Sequence, residues 1–127
     1  MDAQGIVVHH SASGVSIDAN DIDRWHKERG WKGVGYHFVI TVDGTIQPAR
    51  NFESVGAHKR GYNDTHIGIC LVGDFTKHAP TSRQIDSLIK LSKGIISRWD
   101  LKEVIQHHEN CPGNKFPWNY FKAQINL

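Results

Sequence analysis

The sequence lacks several features that would assign it to a specialised class of protein. It has two cysteines among 127 residues. Two are too few for a disulfide framework, although a single bridge stays open. No apolar run approaches the roughly 20 residues that span a bilayer. No internal repeat, low-complexity tract or linker divides the chain. We therefore expect residues 1–127 to form one domain, long enough to bury a hydrophobic core.

Charge and targeting signals are also scarce. The formal net charge is +2, which is too small to indicate a nucleic-acid partner. The segment from Met1 to Gly5 does not begin a basic stretch followed by a long apolar core, so no signal peptide is predicted. We expect a cytoplasmic protein without stable membrane association. If it acts outside the cytoplasm, another protein must deliver it.

Histidine, in contrast, is abundant. The chain has nine histidines, and histidine is both the commonest metal ligand and the usual proton-transfer group near neutral pH. Two predicted strands end in a histidine pair. The apolar run that starts at Gly5 ends in His9-His10, and the strand over 103–106 runs into His107-His108.

Cys111 closely follows the second pair, which gives a set of ligands suited to zinc. A catalytic zinc takes three protein ligands and keeps one position open. The first histidine pair lies about 100 residues before the second, which predicts a site assembled by the fold and not a local zinc knuckle. The alternative is that the histidines lie in surface loops and Cys111 is a buried free cysteine. Spacing alone leaves both open.

The remaining pattern predicts an α/β domain. An amphipathic helix is predicted over 19–29, and a longer one begins at Thr81, where Thr81 and Gln84 form a capping box. Asp43-Gly44 indicates a two-residue hairpin between strands. Further predicted elements are strands over 36–42, 45–47 and 67–72, the last buried on both faces, and a final helix over 116–124.

Motifs along nearly the whole chain resemble a known family. They occur in the family's order: His9-His10-Ser11-Ala12-Ser13, Trp25-His26-Lys27-Glu28, Gly35-Tyr36-His37-Phe38, Gly56-Ala57-His58, Gly61-Tyr62-Asn63, Ile67–Gly73, His107-His108-Glu109 and Cys111-Pro112-Gly113. In these segments the chain resembles the type 2 N-acetylmuramoyl-L-alanine amidases, especially small phage lysozyme-type members, and more distantly the peptidoglycan recognition proteins. The resemblance implies a single α/β domain with a central mixed β-sheet flanked by helices.

The resemblance also implies roles for individual residues. His9, His107 and Cys111 match the ligands of one zinc ion. Tyr36 matches the family's catalytic tyrosine, although a tyrosine at a strand edge is common in its own right. His58 and Asn63 match positions near the substrate groove, although loop residues of these types are often solvated turn residues. Cys70 is expected to be a small core residue.

The implied activity is zinc-dependent hydrolysis of the amide bond between N-acetylmuramic acid and L-alanine in peptidoglycan. Two departures from the family pattern bear on it. Phage relatives carry a longer loop with a catalytic lysine where this chain has only Glu109-Asn110. Some relatives also have a glutamate in the central strand, which here reads Ile69 to Val72. The alternative is therefore a non-catalytic or weakly catalytic peptidoglycan-binding module.

The resemblance further suggests an oligomeric state and a biological role. We expect a monomer that acts on peptidoglycan or muropeptides, as a phage or prophage endolysin released to the cell wall through a membrane lesion. A cytoplasmic enzyme that recycles muropeptides is the neighbouring alternative. Regulatory binding to another protein, a secondary activity among phage relatives, is a third.

Overall fold

A five-stranded mixed sheet forms the centre of the molecule, in a computed structural model that describes residues 1–127. The strand order is β3-β2-β4-β1-β5. Only the pairing of β2 with β3 is antiparallel. The predicted mixed sheet is confirmed. The strands are β1 (Gly5–His10), β2 (Phe38–Ile40), β3 (Ile46–Pro48), β4 (His66–Leu71) and β5 (Glu103–Gln106).

β1 and β4 occupy the middle of the sheet, and every residue of both strands is buried. Their apolar runs are typical of parallel strands covered on both faces. The register pairs His9 with Cys70. Side chains alternate between the two faces along a strand, so Ile6 and Val8 point to one face and His9 to the other.

Helices cover both faces of the sheet. The larger core cluster includes Val8, Leu88 and Phe121, and it contains buried residues of two of the helices. The smaller cluster joins Ile22 to Cys70 on the other face. His9 therefore projects to the face that carries the smaller cluster. The helices are α1 (Ala19–Glu28), α2 (Ser82–Trp99) and α3 (Trp118–Ile125).

Local sequence signals set the limits of the helices. The predicted capping box at the start of α2 is present. The Thr81 side chain accepts a hydrogen bond from the backbone N–H of Gln84, and the Gln84 side chain accepts one from the backbone N–H of Thr81. A second capping box, from Asp18, begins α1. α1 is followed by Gly30, whose φ of 86° is available to glycine at little cost. No helix is long and apolar enough to cross a membrane.

Three predicted features differ from the structure by more than one residue. The hairpin connection is longer than two residues, because residues 41–45 separate β2 from β3; within it Thr41 N–H donates to Thr45 O and Gly44 takes the positive φ. β2 is shorter than predicted and begins at Phe38. The preceding His37 lies in an irregular segment, where its carbonyl oxygen accepts hydrogen bonds from the N–H groups of Ala49 and Arg50, just after β3. α3 begins later because Phe116 precedes Pro117, and a residue before proline disfavours helical backbone.

Candidate metal centre and active site

The three predicted zinc ligands converge at the carboxyl ends of β1 and β5. His9 is the penultimate residue of β1. The His107 N–H donates to Val8 O across 3.2 Å, which keeps the chain after β5 beside β1. One ligand atom each from His9, His107 and Cys111 lies within 4.8 Å of the others. Parallel strands bring residues distant in sequence to one edge of the sheet, and the two histidine-ended strands are neighbours.

A tight turn holds Cys111 in this cluster. His108 and Cys111 exchange two backbone hydrogen bonds of 3.0 Å, so Glu109-Asn110 forms the whole connection. The Cys111 Sγ accepts a hydrogen bond from the His10 backbone N–H at 3.4 Å. The same Sγ lies 4.0 Å from His9 Nδ1. The short connection thus fixes the thiol beside the histidines.

The cluster fits a zinc ion by donor type and by spacing. Zinc binds imidazole nitrogen and thiolate sulfur at about 2.1 and 2.3 Å, so two ligand atoms on a tetrahedral zinc lie about 3.5 Å apart. The 4.0 Å between His9 Nδ1 and Cys111 Sγ is close to that spacing. Only three protein ligands are present. This number suits a catalytic site, which keeps a position for water or substrate.

Burial sets the protonation of these ligands. Desolvation, together with the neighbouring His58 and His107, lowers the pKa of His9 well below its ordinary value. Desolvation, with His108 next in importance, lowers the pKa of His107 to about 4. The pKa of the Cys111 thiol is raised to about 11, mainly by burial. Both histidines are therefore neutral near pH 7, as metal ligation requires.

Tyr36 lies against the cluster just before β2. Its ring centroid is 4.9 Å from that of His9, and the ring also contacts His26. Desolvation by burial, and then the thiols of Cys70 and Cys111, raise the pKa of the Tyr36 phenol well above its ordinary value. The hydroxyl therefore keeps its proton and can donate a hydrogen bond at any physiological pH.

An open groove of about 380 Å³ gives access to this cluster. Its walls are mostly polar side chains with few apolar ones, and they include the candidate ligands His107 and Cys111 as well as Tyr36. The full lining is His10, Ser11, Ala12, Tyr36, Asp74, Thr76, His107, His108, Asn110 and Cys111. The groove therefore opens onto two of the candidate metal ligands and Tyr36, so a molecule bound in it would contact them.

Comparison with known proteins identifies the family. The N-acetylmuramoyl-L-alanine amidase family profile matches residues 1–114. The endolysin of Escherichia phage T7 is 39% identical over 114 residues, which cover 84% of this chain and 76% of the phage protein. The chain belongs to the N-acetylmuramoyl-L-alanine amidase family. The resemblance seen in the sequence motifs is thereby confirmed, and the molecule is an amidase.

Solved structures agree with this assignment of the amidase. The N-acetylmuramoyl-L-alanine amidase LysC from Clostridium intestinale URNW superposes with a TM-score of 0.95 at 37% identity, covering 99% of this chain and 87% of LysC. A variant of Drosophila PGRP-LB in complex with tracheal cytotoxin superposes with a TM-score of 0.84 at 26% identity, covering 95% of this chain and 80% of that protein. The expected amidase fold, shared with peptidoglycan recognition proteins, is confirmed.

The amidase structure places the two predicted substrate contacts away from the groove. His58 is 8% exposed and lies behind His9, with 3.0 Å between His9 Nε2 and His58 Nδ1. Asn63 Oδ1 accepts hydrogen bonds from the backbone N–H groups of His58 and Lys59. Neither residue lines the groove around the cluster. The geometry gives both residues structural contacts, and their contact with substrate stays a prediction.

One residue near the cluster was missed by sequence reasoning. Lys59 Nζ donates to the backbone carbonyl of His107 at 2.6 Å. Its positive charge lowers the pKa of Cys111 and of both candidate histidine ligands. Lys59 directly follows His58 in sequence, but no periodic pattern indicates where the loop carries its side chain. Lys115, the lysine nearest to Cys111 in sequence, is exposed and does not line the groove.

Proposed function

We propose that the amidase hydrolyses the bond between N-acetylmuramic acid and L-alanine with one zinc ion held by His9, His107 and Cys111. The observation that carries this proposal is the convergence of the three residues at the groove beside Tyr36. When bound, zinc lowers the pKa of a coordinated water toward about 7 and polarises a carbonyl oxygen. The protein supplies the ligands, the groove and a proton donor.

Each residue of the cluster has a task that follows from its surroundings. His9 and His107 are held neutral by burial and offer lone pairs. Cys111 contributes the negative charge once its proton leaves, and the backbone N–H of His10 and the charge of Lys59 stabilise that thiolate. Tyr36 keeps its hydroxyl proton, so we assign it as the catalytic donor to the scissile carbonyl oxygen as negative charge develops there.

The shape and polarity of the groove suit a glycopeptide. Asp74, Thr76, His108 and Asn110 border the cluster and offer both hydrogen-bond donors and acceptors. The structurally similar Drosophila PGRP-LB variant was solved in complex with tracheal cytotoxin. We infer peptidoglycan or a muropeptide as the substrate, and a monomer of residues 1–127 as the catalytic unit.

The similarity to phage T7 endolysin supports the same biological role here. An endolysin acts on the cell wall after release. A second candidate is a peptidoglycan-binding module with weak or no catalysis. One observation favours it, since the two-residue connection before Cys111 leaves no place for a loop lysine.

Hydrolysis of purified peptidoglycan, with zinc content measured on the same sample, separates the two candidates. A zinc amidase releases free L-alanine amino groups without new reducing sugar ends, and a chelator stops it. Cys111→Ala abolishes both zinc binding and release. Cys70→Ala is the matched control, because Cys70 is also a buried free cysteine but is not part of the cluster. Stoichiometric zinc and tight wall binding without amine release would establish the binding module instead.

A further inference from the structure

His58 forms the middle of a buried chain of hydrogen bonds that ends at the candidate metal centre. Its Nε2 lies 2.9 Å from the backbone carbonyl oxygen of His66. Its Nδ1 lies 3.0 Å from His9 Nε2. The other ring nitrogen of His9, Nδ1, faces Cys111 Sγ at 4.0 Å. The chain thus runs from a backbone carbonyl, through two imidazole rings, to the thiol.

The chemistry of the carbonyl fixes where each proton lies. A carbonyl oxygen only accepts, so His58 Nε2 must donate its hydrogen to His66 O. A neutral imidazole has one donor and one acceptor, so His58 Nδ1 accepts. His9 Nε2 must then donate to His58, which leaves the lone pair of His9 on Nδ1. That nitrogen is the one that faces Cys111.

Two glycines make the space in which the His58 ring lies. A Cβ atom on Gly68 of β4 would lie 2.6 Å from His58 Cγ, and one on Gly56 would lie 2.5 Å from His58 Cδ2. Real Cβ atoms do not approach carbon so closely, so any other residue would displace the ring. The backbone around His58 is therefore matched to an imidazole held in one orientation.

We propose that His58 is a positioning residue that fixes the tautomer and ring orientation of His9, so that Nδ1 is presented as the metal ligand. This role differs from a contact with substrate, and it rests on the proposed zinc site. Partners that accept the second N–H of a ligating histidine change metal affinity by about 10- to 100-fold when they are removed. Without His58, the His9 Nε2–H would be a buried donor without an acceptor.

Two substitutions at His58 separate positioning from simple packing. His58→Asn keeps an acceptor near the position of Nδ1, whereas His58→Leu fills the space without any acceptor. We expect His58→Leu to weaken zinc binding about 10- to 100-fold in competition with a chromogenic chelator. His58→Asn should stay within a few-fold of the wild-type protein. Equal losses in both variants, or wild-type affinity in His58→Leu with a raised KM, would overturn the proposal.

Nitrogen-15 NMR of the metal-free wild-type protein provides a readout independent of zinc and of activity. We expect the Nε2–H tautomer for both His9 and His58. A proton on Nδ1 of either ring contradicts the inference. If the wild-type protein binds no zinc, the proposed function fails, and the tautomer of His9 alone then supports or overturns the positioning role.

Discussion

In the proposed zinc site, Cys111 is the residue at which metal binding and protonation are coupled most directly. In the metal-free protein, burial raises the pKa of its thiol to about 11, so the sulfur carries a proton near neutral pH. The pKa of His107 is lowered to about 4, and that of His9 is also lowered. Zinc binds thiolate and neutral imidazole. Zinc binding near neutral pH therefore removes a proton from Cys111 and from neither histidine ligand.

Calorimetry of zinc binding should show the release of one proton. At about pH 6 the histidines are already neutral, and a zinc-bound water with a pKa of about 7 is still mostly protonated. Titrations in buffers of different ionisation enthalpy should therefore give about one proton released per zinc. A value near zero would mean that the thiol is ionised beforehand, and a value near two would mean that a ligand histidine is protonated.

Tyr36→Phe tests the assigned proton donor. The substitution removes only the hydroxyl, and the ring still packs against His9. We expect zinc content to be unchanged and kcat to fall about 10²- to 10³-fold, the usual effect of losing one donor to a developing oxyanion. Undiminished turnover would remove Tyr36 from the mechanism.

Lys59→Met tests the charge beside the cluster. Lys59 lowers the pKa of Cys111, so its loss should raise that pKa further and increase the cost of releasing the thiol proton. We expect the Cys111 thiol of the metal-free variant to ionise at a higher pH than in the wild-type protein, as followed by the ultraviolet absorbance of the thiolate. Arg60→Met is the matched control, because Arg60 is exposed and next in sequence. Equal effects of the two substitutions would contradict a specific role for Lys59.

At the scale of elements, features with a local signal could be predicted from sequence. β1, β5 and the start of α2 follow from apolar runs and a capping box. The histidine pairs at the strand ends indicated a shared site, and the family resemblance selected His9 and His107 from those pairs. The positions of His58 and Lys59 could not be predicted, because the irregular segment 49–65 carries them and its path depends on contacts with β4 and His107.

α3 extends beyond the residues that the family profile matches, yet it completes the main core. Phe121 is fully buried there, and its neighbour Tyr120 is 53% exposed. We expect Phe121→Ala to lower the free energy of unfolding by about 3–5 kcal/mol, from lost burial and a residual cavity. Tyr120→Ala should cost far less. Urea denaturation of both variants makes the comparison, and similar losses would contradict the role of α3 in the core.

Neutral histidines that are buried or half-buried make the whole metal-free molecule sensitive to acid. Desolvation is the main cause that lowers the pKa of six of them: His9, His10, His26, His37, His58 and His107. In the unfolded chain these groups titrate near pH 6.5. Below that pH the unfolded state binds more protons than the folded state. The contribution of these histidines to the free energy of unfolding is therefore complete above about pH 6.5 and is lost as the pH falls.

The thermal midpoint of the metal-free protein should therefore drop steadily between about pH 7 and pH 5. His26→Asn should flatten this dependence, because the amide keeps an acceptor for the Gly35 N–H and removes one titrating ring. A thermal midpoint that stays constant over this range would contradict the coupling between histidine protonation and unfolding.

The strand order has a consequence for the protein as the ribosome makes it. β1 is synthesised first, but its partners β4 and β5 begin at His66 and Glu103. Pairing between distant segments is slow, since the loop entropy is lost before the contacts form. A nascent chain that ends before β5 lacks one of the two strands that pair with β1. It also lacks His107 and Cys111. The proposed metal site can therefore form only after Cys111 has been synthesised, and fragments that end before β5 lack two of its three ligands.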